Sequence, residues 1–165
     1  MNIIWHGHSC FEITGKDGTI VFDPYQANSV PGLNSLKLKA NLVLCSHEHD
    51  DHNARNCVEV APKDFKVTCI ETYHDHHQGS HRGKNTIHIV DFENLKVVHM
   101  GDIGCMMDDV SKLKNCDVLM IPIGGYYTID TKEALKYIER IQPRIVIPMH
   151  YHSHEFGYDV LSTNE

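Results

Sequence analysis

The chain is built on short apolar runs separated by polar punctuation. Runs rich in Ile and Val, bounded by Gly, Pro, Asn or Asp, lie at residues 3–5, 10–14, 19–22, 42–45, 67–70, 86–90, 95–100, 118–121 and 144–147. Runs of that length and composition, with such borders, predict strands. The Asp17-Gly18 step between the second and third predicts a hairpin turn. Helical spacing is rarer. Residues 131–141 place Ala134, Leu135, Ile138 and Ile141 on one face, opened by an Asp130/Glu133 capping pair and closed by Pro143. Residues 54–61, ended by Pro62, predict a second helix, and residues 108–114 a weaker third. Strands with a few interspersed helices indicate a mixed, layered α/β fold. No internal repeat, linker or low-complexity tract is visible, so residues 1–165 read as one domain.

Polar residues follow directly after the apolar runs. Phe22 leads into Asp23, and Cys45 into His47, His49, Asp51 and His52. The run at 67–70 is followed shortly by His74, Met100 by Gly101-Asp102, and Ile147 by Pro148-Met149-His150. Layered α/β proteins place their sites at the carboxyl ends of strands, so these endings are expected to converge on one edge of the sheets.

Composition changes the picture in two respects. With 15 basic and 22 acidic residues the formal charge is −7, which weighs against the broad basic face a nucleic-acid partner needs. The 14 His stand out, because clustered imidazoles are common metal ligands. Hydrophobic residues at 41% suffice for a core, and no apolar stretch approaches the roughly 20 residues of a membrane span. The opening residues carry no basic leader or long apolar segment. Six cysteines without a CxxC pair, several in apolar runs, are expected as reduced thiols in a cytoplasmic protein.

The densest chemistry is Ser46-His47-Glu48-His49-Asp50-Asp51-His52. In an extended segment His47 and His49 face one side and Asp51 keeps that phase, whereas His52 breaks it. A turn there would deliver ligands to two neighbouring metals. Imidazole and carboxylate suit zinc, manganese or iron.

His47-Glu48-His49-Asp50-Asp51-His52 resembles the His-x-His-x-Asp-His signature of the metallo-β-lactamase superfamily. Further landmarks follow in order: Asp23 after a strand, an isolated His74, Asp102 in His99-Met100-Gly101-Asp102, and His150 in Pro148-Met149-His150-Tyr151. The Trp5-His6-Gly7-His8-Ser9 and Arg82-Gly83-Lys84-Asn85-Thr86 stretches resemble the bacterial branch of zinc-dependent hydrolases that includes ascorbate-6-phosphate lactonase. The resemblance implies a four-layer αββα sandwich, here shortened at its C-terminus, with two divalent metal ions at one edge. Zinc is the first expectation, with manganese or iron as alternatives. By position, His47, His49 and His74 would hold the first metal. Asp51, His52 and His150 would hold the second, and Asp102 would bridge both. A hydroxide shared by the metals would be the nucleophile, and Asp51 would be catalytic, orienting the water or relaying its proton.

Other residues have two readings each. His76 and His77 compete with His74 as third ligand, and together with His81, which follows, otherwise form a loop beside the site that either contacts substrate or is solvated surface. Asp23 reads as a carboxylate orienting a ligating His, and His8 either shares that shell or is structural. His88 and His99 alternate with apolar residues and read as structural, and His152 and His154 carry no assignment. Tyr126 or Tyr127, after Gly124-Gly125, could touch substrate, and Arg82 or Lys84 could recognise a phosphate or carboxylate. The short C-terminus leaves a sheet edge that a second copy could cover. The leading function is a metal-dependent hydrolase of a small, anionic ester, lactone or phosphodiester. The alternatives are a nucleic-acid-processing phosphodiesterase and a non-catalytic metal-binding module. The di-iron redox branch has Glu where His49 stands.

Overall fold

A computed structural model describes residues 1–163. The N-terminal sheet has the order β1-β2-β3-β5, built from Asn2–Gly7, Cys10–Gly15, Gly18–Phe22 and Leu42–Leu44. The second sheet runs β11-β10-β9-β8-β7, from Ile145–Met149, Val118–Pro122, Leu95–His99, Lys84–Phe92 and Lys66–Tyr73. Every strand expected from the apolar runs is present. Strand alternation then decides which side chain enters which layer. Phe11, Ile13, Ile20 and Phe22 meet Val90, Phe92, Val97, Val118 and Met120 between the sheets. The alternate positions Ile87, Ile89, Val98, Leu119 and Ile121 face the helix α1, Thr131–Ile141.

That helix starts and stops as its sequence dictates. Asp130 accepts from the Glu133 N–H and Glu133 returns the bond to the Asp130 N–H, a complete capping box. Gln142 takes a left-handed conformation at the C-cap, directly before Pro143. Its buried face is Ala134, Tyr137 and Ile141 with Ile138 beside them, whereas Leu135 is 55% exposed. Leu135 is thus a correction. One step beyond Ala134 carries it around the cylinder and away from the sheet.

The expected helix at 54–61 is a second correction. One turn of 3-10 helix, Arg55–Cys57, leads into a strand, β6, Val58–Val60, which pairs in parallel with β4, Leu38–Ala40. Val58 and Val60 are β-branched and alternate, Val58 buried and Val60 out, so Val58 joins Cys10, Val21, Tyr25 and Val30. This ribbon and the loop before it form the outer layer over the first sheet. At 108–114 only Ser111–Leu113 winds, again as 3-10 helix, with Leu113 buried against α1. The last strand, β11, lies at a sheet edge, where Pro148 removes no ladder bond the sheet needs. Among the described residues no helix is long and apolar enough to cross a membrane.

His88 and His99 pair across β8 and β9 and point between the sheets. The His99 ring lies flat on Phe22 at 5.1 Å, with Nε2 bonded to the Ser9 carbonyl and Nδ1 accepting from the Gly101 N–H. Both are structural. Burial lowers the His88 pKa from 6.5 to about 4, with Asp23 opposing and His99 adding to the shift. Below pH 6.5 the unfolded chain therefore takes a proton that the folded chain refuses. Stability is expected to fall through that window, by about 2 kcal/mol at pH 5 from this group alone. Chemical denaturation at pH 7 and pH 5 checks this. His88→Leu should lose about 2 kcal/mol less between the two pH values than the parent. Equal losses would mean that His88 binds protons alike in both states.

Candidate metal centre

Strand direction explains why the chemistry gathers. β1 and β3 are each antiparallel to β2, and β5 is parallel to β3, so β1, β3 and β5 end at one edge. β7 and β9 are each antiparallel to β8, and β10 and β11 run parallel to β9, so these four also end together. His8, Asp23 and the 46–52 segment leave the first set, and His74, Asp102 and His150 leave the second. The turns are sharp. His8, Asp23 and His150 all have positive φ, between 42° and 53°, in the left-handed region that side chains disfavour. Such backbone concentrates where a site over-determines it. Gly101 permits a close approach, because a Cβ there would collide with Ser46 and Asn85.

All seven expected ligands come into one cluster. His47, His49 and His74 form one group of donor atoms within 4.8 Å of one another, and Asp51, His52 and His150 another together with His8. Asp102 joins His47 and His52 in a third. Its Oδ2 lies 3.0 Å from His150 Nε2, 3.1 Å from His52 Nε2 and 3.2 Å from His74 Nε2. The segment holding the signature is not extended, so the His47/His49 alternation is corrected, while the turn expected there is present. Residues 46–52 bend through a turn closed by the His52 N–H on the His49 carbonyl, and the turn brings the rings together. His76, His77 and His81 stand outside the cluster and are exposed.

Asp23 fixes the imidazoles. It is fully buried and accepts from the Ser46 N–H at 2.6 Å, the Ser46 hydroxyl at 2.6 Å and His52 Nδ1 at 2.8 Å. Burial alone would raise its pKa, but nearby His99 and the His52 hydrogen bond hold it far below the usual carboxylate range. An ionised Asp23 only accepts. His52 must therefore carry its proton on Nδ1, and the Ser46 hydroxyl must give its proton to Asp23. The Ser46 oxygen is then left to accept from His47 Nδ1 at 2.9 Å. His74 Nδ1 likewise donates to the Tyr127 carbonyl at 3.1 Å. In the neutral state all three present an Nε2 lone pair inward. Second-sphere fixing of tautomers is what ligating His residues require.

The charge balance agrees. Burial, with His52 close by, lowers His47 to about 3, so it stays neutral. Burial would raise Asp102, yet His150 and His52 hold it well below its ordinary range. At His52 and His74 burial opposes charge, but neighbouring Asp102 outweighs it and raises both. Positive charge is thus favoured at this spot. A metal ion held there by His52, His74 and Asp102 would take the place of the proton. His47 Nε2, His52 Nε2 and Asp102 Oδ1 are buried and make no hydrogen bond among the described residues, so the donor set fits a cation.

Residues that the sequence did not single out complete the site. Asn85 accepts from the Asp102 N–H at 2.8 Å and donates to the Thr72 hydroxyl and the Met100 carbonyl, which sets the Asp102 backbone. Asp51 Oδ2 lies 3.2 Å from His8 Nε2 and 3.3 Å from the Tyr158 hydroxyl, whose one proton is shared between Asp51 and the nearer Ser29 carbonyl at 2.6 Å. Burial would raise Asp51, but His52 and the His8 bond hold it below the usual range, so His8 offers Asp51 an N–H rather than a lone pair. Burial, then His150, lowers His8 itself to about 4. Nothing in the spacing marks Tyr158, eight positions after His150.

A cleft of about 260 Å³ opens over the cluster. His49, Asp51, His74, Asp102 and His150 line it, and Arg82, Tyr127 and Tyr158 complete it. Tyr126 is 63% exposed and stays outside the cleft. A larger groove of about 430 Å³ beside the end of α1 contains none of this chemistry.

The sequence matches the profile of the beta-lactamase superfamily domain over residues 2–150. A metal-dependent hydrolase from Thermoplasma acidophilum is 29% identical over 191 residues, covering 93% of this chain and 84% of the relative. One from Staphylothermus marinus is 30% identical, covering 89% and 82%. The fold is similar to a Thermotoga maritima structure of the metallo-β-lactamase superfamily, with a TM-score of 0.76 and 28% identity over 98% of this chain and 80% of that one.

Proposed function

The chain belongs to the metallo-β-lactamase superfamily and is a metal-dependent hydrolase, and from that premise we propose that it uses two divalent cations to cleave a small, anionic ester, lactone or phosphodiester. His47, His49 and His74 would hold one ion, Asp51, His52 and His150 the other, with Asp102 shared. The observation that carries this reading is the Asp23 network. It fixes His52 directly and His47 through Ser46, while three Nε2 atoms converge on one Asp102 oxygen. Cations held by these residues would supply an acidified water and Lewis-acid polarisation of the scissile carbonyl or phosphoryl group.

The chain's own residues do the rest. Asp51 faces the cleft with one oxygen held by His8 and Tyr158. In that position it orients the attacking water, accepts its proton and returns a proton to the leaving group. The cleft's volume of about 260 Å³ supports a small-molecule substrate. The working compartment in this reading is the cytoplasm, supported by six unpaired cysteines.

Elemental analysis of protein purified without chelator tests the proposal, with two metal ions per chain expected. One ion per chain would remove the shared role of Asp102. None, after reconstitution with zinc, manganese or iron, would overturn the reading. Generic 4-nitrophenyl esters and phosphodiesters then separate ester from phosphoryl chemistry.

A further inference from the structure

The chain has four arginines, and three have given their guanidinium to the fold. Arg55 grips Glu48 with both nitrogens, Arg140 donates to the Met107 and Asp108 carbonyls, and Arg144 pairs with Asp117. Arg82 differs. Among the described residues its guanidinium meets no carboxylate and no carbonyl. It rests only against the Tyr127 and Tyr126 rings, at 5.4 Å and 5.8 Å from their centres. It is half-buried and lines the cleft that holds Asp51, Asp102 and His150. Lys84, the other cation of this stretch, is exposed and paired with Glu71 at 3.3 Å.

Nearby acids do not compete for Arg82, because each is committed elsewhere. Asp75 is buried and accepts four backbone N–H bonds, from His77, Gly79, His81 and Arg82 itself. Asp130 and Glu133 close the capping box of α1, and Glu48 holds Arg55. The Asp75 knot also sets the Arg82 backbone at 2.7 Å, so the side chain leaves from a fixed point. A pre-positioned guanidinium with its fork of donors unused, stacked on aromatic rings at a cleft, suits an oxyanion.

We propose that Arg82 determines substrate specificity by binding an oxyanion, phosphate or carboxylate, on the part of the substrate that does not react. This deepens the hydrolytic reading of the cleft and rests on it. The intact, metal-loaded protein is compared with Arg82→Gln and Arg82→Lys. Inorganic phosphate and succinate are titrated by calorimetry to distinguish the two oxyanions. 4-Nitrophenyl acetate and 4-nitrophenyl hemisuccinate share a leaving group and differ in a distant carboxylate. Arg82→Gln should weaken the preferred anion roughly 10- to 100-fold, the range of a lost charge-assisted hydrogen bond. It should also lower the hemisuccinate-to-acetate ratio of kcat/KM about tenfold or more, with Arg82→Lys intermediate and the melting temperature held. Unchanged anion binding and an unchanged ratio would overturn the assignment. So would equal losses in both variants together with a lowered melting temperature. Arg82-dependent anion binding by a protein that cleaves neither these esters nor the 4-nitrophenyl phosphodiesters would uphold Arg82 and count against the hydrolytic proposal.

Discussion

Replacing Asp102 with Ala is expected to abolish two-metal loading and to lower kcat/KM by more than about 100-fold. The bound follows from the sphere in which the residue sits, since removing a partner one bond further out already costs about 10- to 100-fold. Three imidazole nitrogens approach a single Asp102 oxygen within 3.2 Å, at a buried point on the floor of the cleft. No other carboxylate in the cluster reaches all three. The fold is expected to survive, because Asn85 holds the Asp102 backbone N–H and is itself tied to Thr72 and Met100. Asp102→Asn, which keeps the shape and drops the charge, serves as the second variant. Metal content and kcat/KM are measured on protein whose circular dichroism matches the parent. Two metals per chain with near-parental turnover in either variant would show that Asp102 is not shared.

The second large effect belongs to Asp51. Asp51→Asn should reduce kcat about 10²- to 10⁴-fold, the usual contribution of a positioned proton-transfer group. Its two expected roles can be separated. Saturating metal should restore occupancy of the second position, while the kcat deficit should persist with KM little changed. His8 and the Tyr158 hydroxyl would remain beside the new amide, so the local geometry has support. If kcat recovers fully with added metal, Asp51 only binds the ion and moves no proton.

Much of this was legible because chemistry followed apolar runs. A strand announces itself through Ile and Val, and the residue after it inherits a defined place at the sheet edge. Asp23, Asp102 and His150 could be located that way, and His74 stood out from His76, His77 and His81 for the same reason. What stayed hidden depended on segments too short to show a period, or on contacts between distant segments. β4 and β6 have three residues each, too few for alternation to exceed chance. Leu135 satisfied the helical spacing, but the sheet selects Tyr137 for the inner face, and only packing decides between them. In the 46–52 segment the phase break at His52 announced a turn, but not where the chain bends, and the bend begins at Ser46, before the two His that alternation sets on one side. Tyr158 reaches Asp51 across 107 positions of chain, and no pattern encodes that distance.

The Asp75 knot has an evolutionary consequence. A loop is usually held by its own side chains, so changing them moves it. Here the loop after β7 is held by main-chain N–H groups converging on one carboxylate, and its His76, His77, Gln78, Ser80 and His81 side chains are free of that duty. Substitutions other than proline at His76, His77, Ser80 and His81 leave the backbone path, and the point from which residue 82 departs, as they were. Gln78, by contrast, holds a left-handed φ of 56° that limits what can replace it. Descendants of this chain can therefore drift in what they accept at the mouth while inheriting an unaltered reaction centre. The tether separates the part of the molecule that can be tinkered with from the part that cannot.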